Sequence, residues 1–226
     1  MAAEVIGLDL SQPLDDPTRQ SVHRAFLRYQ VLAFRDQSLT KEQQIAFTEQ
    51  FGALERHTLR NKGTNENPQV HIVTNLDGKG KPSGTVKSAR WHSDKSFRPE
   101  PSMATILHAV TLPPEGGDTC FADMYAAYDA LPESEKAALN ETRVIHSWEH
   151  SRENIGRTMS RAEIDDAPPM THPLARIHPE TGRLMVLMTH NTDIADGWER
   201  EGRMTNSSTR SHPMPTRSAS TSRCTR

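Results

Sequence analysis

His92-Ser93-Asp94 sets an imidazole and a carboxylate two residues apart. On an extended segment, residues i and i+2 project from one face, so the two side chains can hold neighbouring corners of a single metal ion. One further histidine would complete the two-His-one-carboxylate face that leaves three positions open on non-haem Fe(II). By itself the triplet is a weak signal. The chain has 11 histidines, and a buried histidine is commonly structural, hydrogen-bonded to backbone. Trp91 and Phe97 bracket the triplet with apolar bulk, which suits a dry, shaped site. Downstream, Gly116-Gly117-Asp118-Thr119 offers a hydroxyl; its plainer reading is a strand-start group beside a Gly-Gly turn.

Several elements must position these groups. Asp16-Pro17 reads as an N-cap followed by proline at the first helical position, with Val22, Ala25, Phe26 and Tyr29 at helical spacing behind it. Val31 to Phe34 predicts a short buried strand. Thr40 and Gln43 have capping-box spacing at the start of a helix that reaches Phe51-Gly52. A strand is expected over Gln69 to Val73 and another over Met103 to Val110, with a turn at Leu112 to Gly117 and a strand from Thr119 to Ala122. Helical material follows from Met124 to Leu131 and from Pro132 to Leu139. A strand pair, Leu174 to Ile177 and Leu184 to Met188, turns at Glu180 to Arg183. The Gly-, Lys- and Ser-rich stretch from Asp77 to Ala89 reads as a lid over a site or an ordinary surface connection, and the polar stretch from Ser151 to Met170 as a second lid or an insertion.

Bulk properties bound the partners. The chain has 226 residues, with 27 basic and 29 acidic side chains for a formal charge of -2, so neither a nucleic-acid footprint nor a membrane-binding surface is indicated. Cys120 and Cys224 are too few for a disulfide framework and fit a reducing compartment. No signal peptide is evident, and no apolar run approaches the roughly 20 residues of a membrane helix. A cytoplasmic location is the expectation; homo-oligomerisation stays open. The 34% hydrophobic content is low and uneven, because residues 203–226 are almost entirely Ser, Thr, Arg, Pro and His. That tail is expected to be disordered, since neither helical nor strand periodicity gives it a face to bury.

A set of ordered motifs goes further than any one of them. Phe34-Arg35-Asp36-Gln37, Gln44 to Phe47, Phe51-Gly52-Ala53-Leu54, Trp91 to Asp94, Pro113 to Met124, Ala126 to Leu131, Thr171 to Pro179 and Thr181-Gly182-Arg183 follow one another along residues 4–202. Together they closely resemble the taurine dioxygenase / 2,4-dichlorophenoxyacetate dioxygenase family of Fe(II)- and 2-oxoglutarate-dependent oxygenases. That resemblance implies a double-stranded β-helix (jelly roll) with flanking helices, mainly β, spanning 1–202 and incomplete at the C-terminus. It implies Fe(II), 2-oxoglutarate and O2 as the reacting set, with succinate and CO2 released as a small organic anion is hydroxylated. His92 and Asp94 fall on the first two iron ligands, and Thr119 on the hydroxyl that helps bind the distal carboxylate of 2-oxoglutarate. His57 falls on a substrate contact, with an exposed loop histidine as its plainer reading. No catalytic group beyond the metal ligands is assigned.

The chain also departs from the family pattern. Arg60 and Ser88 replace an aromatic hydroxyl and an asparagine of the taurine branch, whereas Ser151-Arg152 with Ile155-Gly156 look more like the aryloxyalkanoate branch. The expected substrate is therefore aryloxyalkanoate-like or a sulfonate. The family's distal iron histidine and the arginine about eleven residues after it should lie beyond the matched region. His212 with Arg223 mimics that spacing among prolines that do not suit a strand, and His190 with Arg200 falls too early. The tail is expected to be out of frame, because codon degeneracy permits a neighbouring frame that reads as a helix followed by an alternating strand. The opening strand is also expected to be clipped, since Ala3-Glu4-Val5 resembles its middle. Two rivals to an active oxygenase follow: a truncated, inactive homologue, and a metal-binding cupin-like module without oxygen chemistry.

Overall fold

The computed structural model describes residues 1–55, 67–77, 79–81, 91–153, 156, 158–187, 192–195 and 223–225, the last two segments as backbone only. The chain divides into two compact units, one of residues 2–91 with 106–110, the other of residue 1, 92–105 and 111–226.

In the first unit β1 (Ala3–Val5) leads to α1 (Asp16–Tyr29), which returns the chain to β2 (Leu32–Phe34), parallel to β1 with Ala3 opposite Leu32. The cap of α1 is Asp15, one residue earlier than the sequence suggested: its carboxylate accepts from the Thr18 amide, and proline follows inside the first turn. With Asp15 as cap, Pro17 stands at N2 and has no N–H to offer, so the carboxylate takes the N3 amide of Thr18 instead. α2 (Lys41–Glu49) starts with the expected capping box, Thr40 and Gln43 exchanging side-chain-to-backbone bonds of 3.2 and 2.8 Å. Phe47, 3% exposed, is the hub of this unit, edge-on to Phe34 and Phe51 at 5.9 and 5.3 Å. The Gln37 amide bonds to Leu8 and Leu10, tying the segment after β1 to the end of β2.

The second unit holds β3 (Thr119–Phe121), α3 (Met124–Asp129), α4 (Glu133–Glu141), β4 (Arg143–His146), α5 (Trp148–Glu153), α6 (Arg161–Asp166), β5 (Met170–Pro173), β6 (Ala175–Ile177), β7 (Leu184–Val186), β8 (Thr192–Ala195) and β9 (Arg223–Thr225). β4 lies between β5 and β8, antiparallel to both, while β6 pairs with β7 and β3 with β9. Arg183, just before β7, stacks over the Tyr125 ring at 4.3 Å and bonds to Asp129 at 3.0 Å, so the β6–β7 turn is pinned to α3.

Four expectations change. Met103 to Val110 is extended coil without a ladder among the described residues, and it leaves Leu107 and Val110 65% and 83% exposed. Of Gln69 to Val73 only His71 makes a bridge. The tail is not wholly without structure, since residues 223–225 form β9 beside β3, Cys120 lies opposite the backbone of Cys224, and Cys120 is disulfide-bonded rather than reduced. The small sheets are compatible with a jelly roll without closing one. Among the described residues, no helix is long and apolar enough to cross a membrane.

Phe47→Ala should destabilise the protein by about 3–5 kcal/mol, because the ring leaves a void among partners that cannot collapse onto it. Chemical denaturation reads this directly, and a loss under about 1 kcal/mol would show that Phe47 is not the hub described.

Candidate metal centre

His92 and Asp94 meet, though not on a strand. The segment is coil at His92 and Ser93 and becomes a turn from Asp94 to Phe97. Lys95 takes φ +49°, a left-handed conformation that side chains seldom adopt, and the Arg98 amide closes on the Lys95 carbonyl at 2.9 Å. Instead of strand alternation, this turn places His92 Nε2 3.3 Å from Asp94 Oδ1. Two donors about 2.1 Å from one ion and at right angles to each other lie roughly 3 Å apart. The spacing therefore fits two adjacent corners of a metal.

The other oxygen of Asp94 accepts a 2.6 Å bond from the Thr105 hydroxyl, and this fixes the carboxylate plane. The bond to His92 and, less, that to Thr105 hold the Asp94 carboxyl below its ordinary range, against the desolvation that partial burial imposes. A carboxylate oxygen beside an imidazole is a donor pair that suits a divalent ion. The donor chemistry thus fits, but only in part. Among the described residues, no group of three or more His, Cys, Asp and Glu side chains could hold a metal ion.

His92, Asp94 and Lys95 line a cavity of about 190 Å³, whose far wall is built by His146, Trp148 and Arg152. Phe97 and Trp148 stack with centroids 4.9 Å apart and planes tilted by 30°, and the Arg152 guanidinium lies 3.7 Å over the Trp148 ring. The cavity is smaller than the roughly 300–1,000 Å³ typical of drug-sized ligands.

Sequence reasoning missed His146. It is 1% exposed on β4, edge-on to His172 of β5 at 5.2 Å, and among the described residues neither ring nitrogen has a hydrogen-bond partner. Its only advance signal was alternation along Arg143 to His146, which aims Val144 and His146 inward together.

The remaining expected site residues fare differently. Thr119 opens β3, is exposed, and is not part of the wall that His92 and Asp94 share. His57, Arg60 and Ser88 lie outside the described residues, as do His190, Arg200 and His212. Of Arg223 only the backbone is described, opposite Phe121.

Comparison with known proteins gives this constellation its context. The family model for "Taurine catabolism dioxygenase TauD, TfdA family" matches residues 1–208. The chain belongs to that family. An (S)-phenoxypropionate/alpha-ketoglutarate-dioxygenase of Sphingobium herbicidovorans is 34% identical over 205 residues, which cover 87% of this chain and 70% of the relative. An alpha-ketoglutarate-dependent 2,4-dichlorophenoxyacetate dioxygenase of Cupriavidus pinatubonensis is 34% identical over 219 residues, covering 90% and 75%. Among solved structures, AAD-2 in complex with Mn(II) and N-oxalylglycine superimposes with a TM-score of 0.62 at 33% identity, over 86% of this chain and 68% of that one. As a TauD/TfdA member, the chain has relatives named for 2-oxoglutarate-dependent oxygenation.

Burial, with help from His172 and Arg176, pulls the pKa of His146 from 6.5 down to about 4. Between those values the unfolded chain binds the proton and the folded one does not, so stability falls as pH drops from about 6.5 towards 4 and is unaffected by this group above that window. His146→Phe should therefore shrink the loss of unfolding free energy between pH 7 and pH 5 by about 2 kcal/mol. Urea titrations at both pH values test this; parallel losses in the two proteins would contradict it.

Proposed function

We propose that this protein is an Fe(II)- and 2-oxoglutarate-dependent dioxygenase that hydroxylates a small organic acid and releases succinate and CO2. The observation that carries the reading is the 3.3 Å approach of His92 to Asp94 on the wall of a cavity that also presents Lys95 and Arg152. Family membership supports the jelly-roll fold and supplies the co-substrate, and the Mn(II) and N-oxalylglycine bound by AAD-2 support metal and keto-acid dependence. The metal, when bound, supplies the oxidising chemistry at the substrate C–H bond.

This chain's residues do the rest. His92 and Asp94 hold the ion, and the Thr105 hydroxyl keeps the Asp94 carboxylate turned toward it. Lys95 and Arg152 neutralise acid groups, since a cation in a partly desolvated wall attracts a carboxylate far more strongly than one in open water. The flat Phe97–Trp148 wall favours a planar, apolar body behind that acid group and excludes water from it. Thr119 toward 2-oxoglutarate and His57 toward the substrate come into this reading from the family resemblance. An aryloxyalkanoate suits the aromatic wall better than an alkyl sulfonate does, and the phenoxy acids in the names of the relatives point the same way.

A second reading is an inactive homologue, favoured by one observation: no third protein ligand stands beside His92 and Asp94 among the described residues. The two separate on succinate release in the presence of Fe(II), 2-oxoglutarate, oxygen and a panel of phenoxy and sulfonic acids. An active oxygenase releases succinate with at least one acid and loses this at least about 100-fold in Asp94→Ala. A visible charge-transfer band on mixing Fe(II) and 2-oxoglutarate, with no succinate for any acid, would establish the inactive homologue instead. Arg152→Leu should raise KM for the acid about tenfold or more with a smaller change in kcat, the pattern of lost ground-state binding. An unchanged KM would remove Arg152 from the substrate site.

A further inference from the structure

The segment Thr171-His172-Pro173 belongs to the motifs that carried the family resemblance, yet no role falls to it above. β5 presents Thr171 to solvent and turns His172 inward, where it is 5% exposed. His172 stands opposite Val144 in the β4–β5 ladder, so its backbone is fixed on the central strand of the three-stranded sheet. Its Nε2 lies 2.9 Å from the carbonyl oxygen of Arg98. A carbonyl can only accept, so Nε2 carries the proton and donates it.

Arg98 is the residue that ends the turn begun by Asp94. Its amide donates to the Lys95 carbonyl at 2.9 Å, and its guanidinium donates to the Asp166 carbonyl and, at 3.1 Å, to the Asp166 carboxylate. Asp166 ends α6, and its side chain is 57% exposed, so that ion pair is solvent-screened and constrains little. The bond within the turn fixes its shape but not its place. His172 joins the turn to β5, through the Arg98 carbonyl and a further backbone bond at Ser96.

We propose that His172 is a positioning residue for the His92–Asp94 pair, its Nε2–H holding the 94–98 turn against β5 through the Arg98 carbonyl. This rests on the reading that His92 and Asp94 bind a divalent metal. Removing the donor leaves a part-buried carbonyl unpaired, and the turn then moves to find water. Lys95, already in a left-handed conformation, is where such a turn relaxes first. The separation between His92 and Asp94 then ceases to be fixed at metal-ligand spacing.

The full chain is titrated with Mn(II) and followed by electron paramagnetic resonance, in the wild type, His172→Gln, His172→Asn and His92→Ala. Glutamine puts an N–H near the position of Nε2, whereas asparagine is equally polar but too short to reach Arg98. His172→Asn should weaken Mn(II) binding on the order of 10–100-fold and alter the bound-ion spectrum. His172→Gln should return both to within about threefold of the wild type, and His92→Ala sets the floor. Circular dichroism melts of the two His172 variants should coincide, which separates positioning from loss of fold. Equal affinity and spectra in the wild type and His172→Asn, or equal defects in the Asn and Gln variants, would overturn the proposal while leaving the metal reading intact. No Mn(II) binding by the wild type would overturn the metal reading, and the proposal with it.

Discussion

The 3.3 Å approach of His92 to Asp94, on which the proposed metal centre depends, is held without a β-ladder. A ladder fixes side-chain spacing through repeated backbone bonds, whereas coil and turn must be held by individual ones. Here the turn from Asp94 is closed by the Arg98 amide on Lys95, oriented by the Thr105 hydroxyl on the Asp94 carboxylate, and joined to β5 by His172. Each bond comes from a different part of the unit. The geometry of the pair is therefore a property of the whole unit, not of the triplet that encodes it.

The surroundings explain why such single bonds suffice. Ser96, Thr142, His146, Ser151 and His172 are buried polar residues in a unit whose apolar core is small, Val144, Ala167 and Leu187 among its most buried members. Burial strengthens each satisfied hydrogen bond and penalises each unsatisfied one, so buried His146 stays neutral and His172 is held to its donor role. Trp148 brings the aromatic wall of the cavity to the same place. Its ring packs on Phe97 with centroids 4.9 Å apart and carries the Arg152 guanidinium 3.7 Å over it, so aromatic area and a positive charge adjoin.

Local signals in the chain were legible where the physics is local. The Thr40–Gln43 capping box, the helix behind Pro17, the strand at Leu32–Phe34 and the β6–β7 pair around the Gly182 turn all form within a few residues of their signal. Met103 to Val110 failed for the opposite reason. Its strand-like composition fits a pleated surface, but a strand exists only where a partner strand accepts its bonds. The tail shows the converse, since residues with no strand pattern at 223–225 pair with β3 when a partner edge is present.

For the site, the sequence by itself determined which donors exist: His92 and Asp94 two residues apart, in an order of motifs specific enough to indicate the family. Side-chain chemistry is a property of residue type, and motif order survives without any coordinates. The tertiary structure alone decided how the pair is held. A left-handed Lys95, a hydroxyl from Thr105 and an imidazole from β5 converge on one turn, while among the described residues neither ring nitrogen of buried His146 has a hydrogen-bond partner. Those contacts join residues far apart along the chain, and only folding sets such separations.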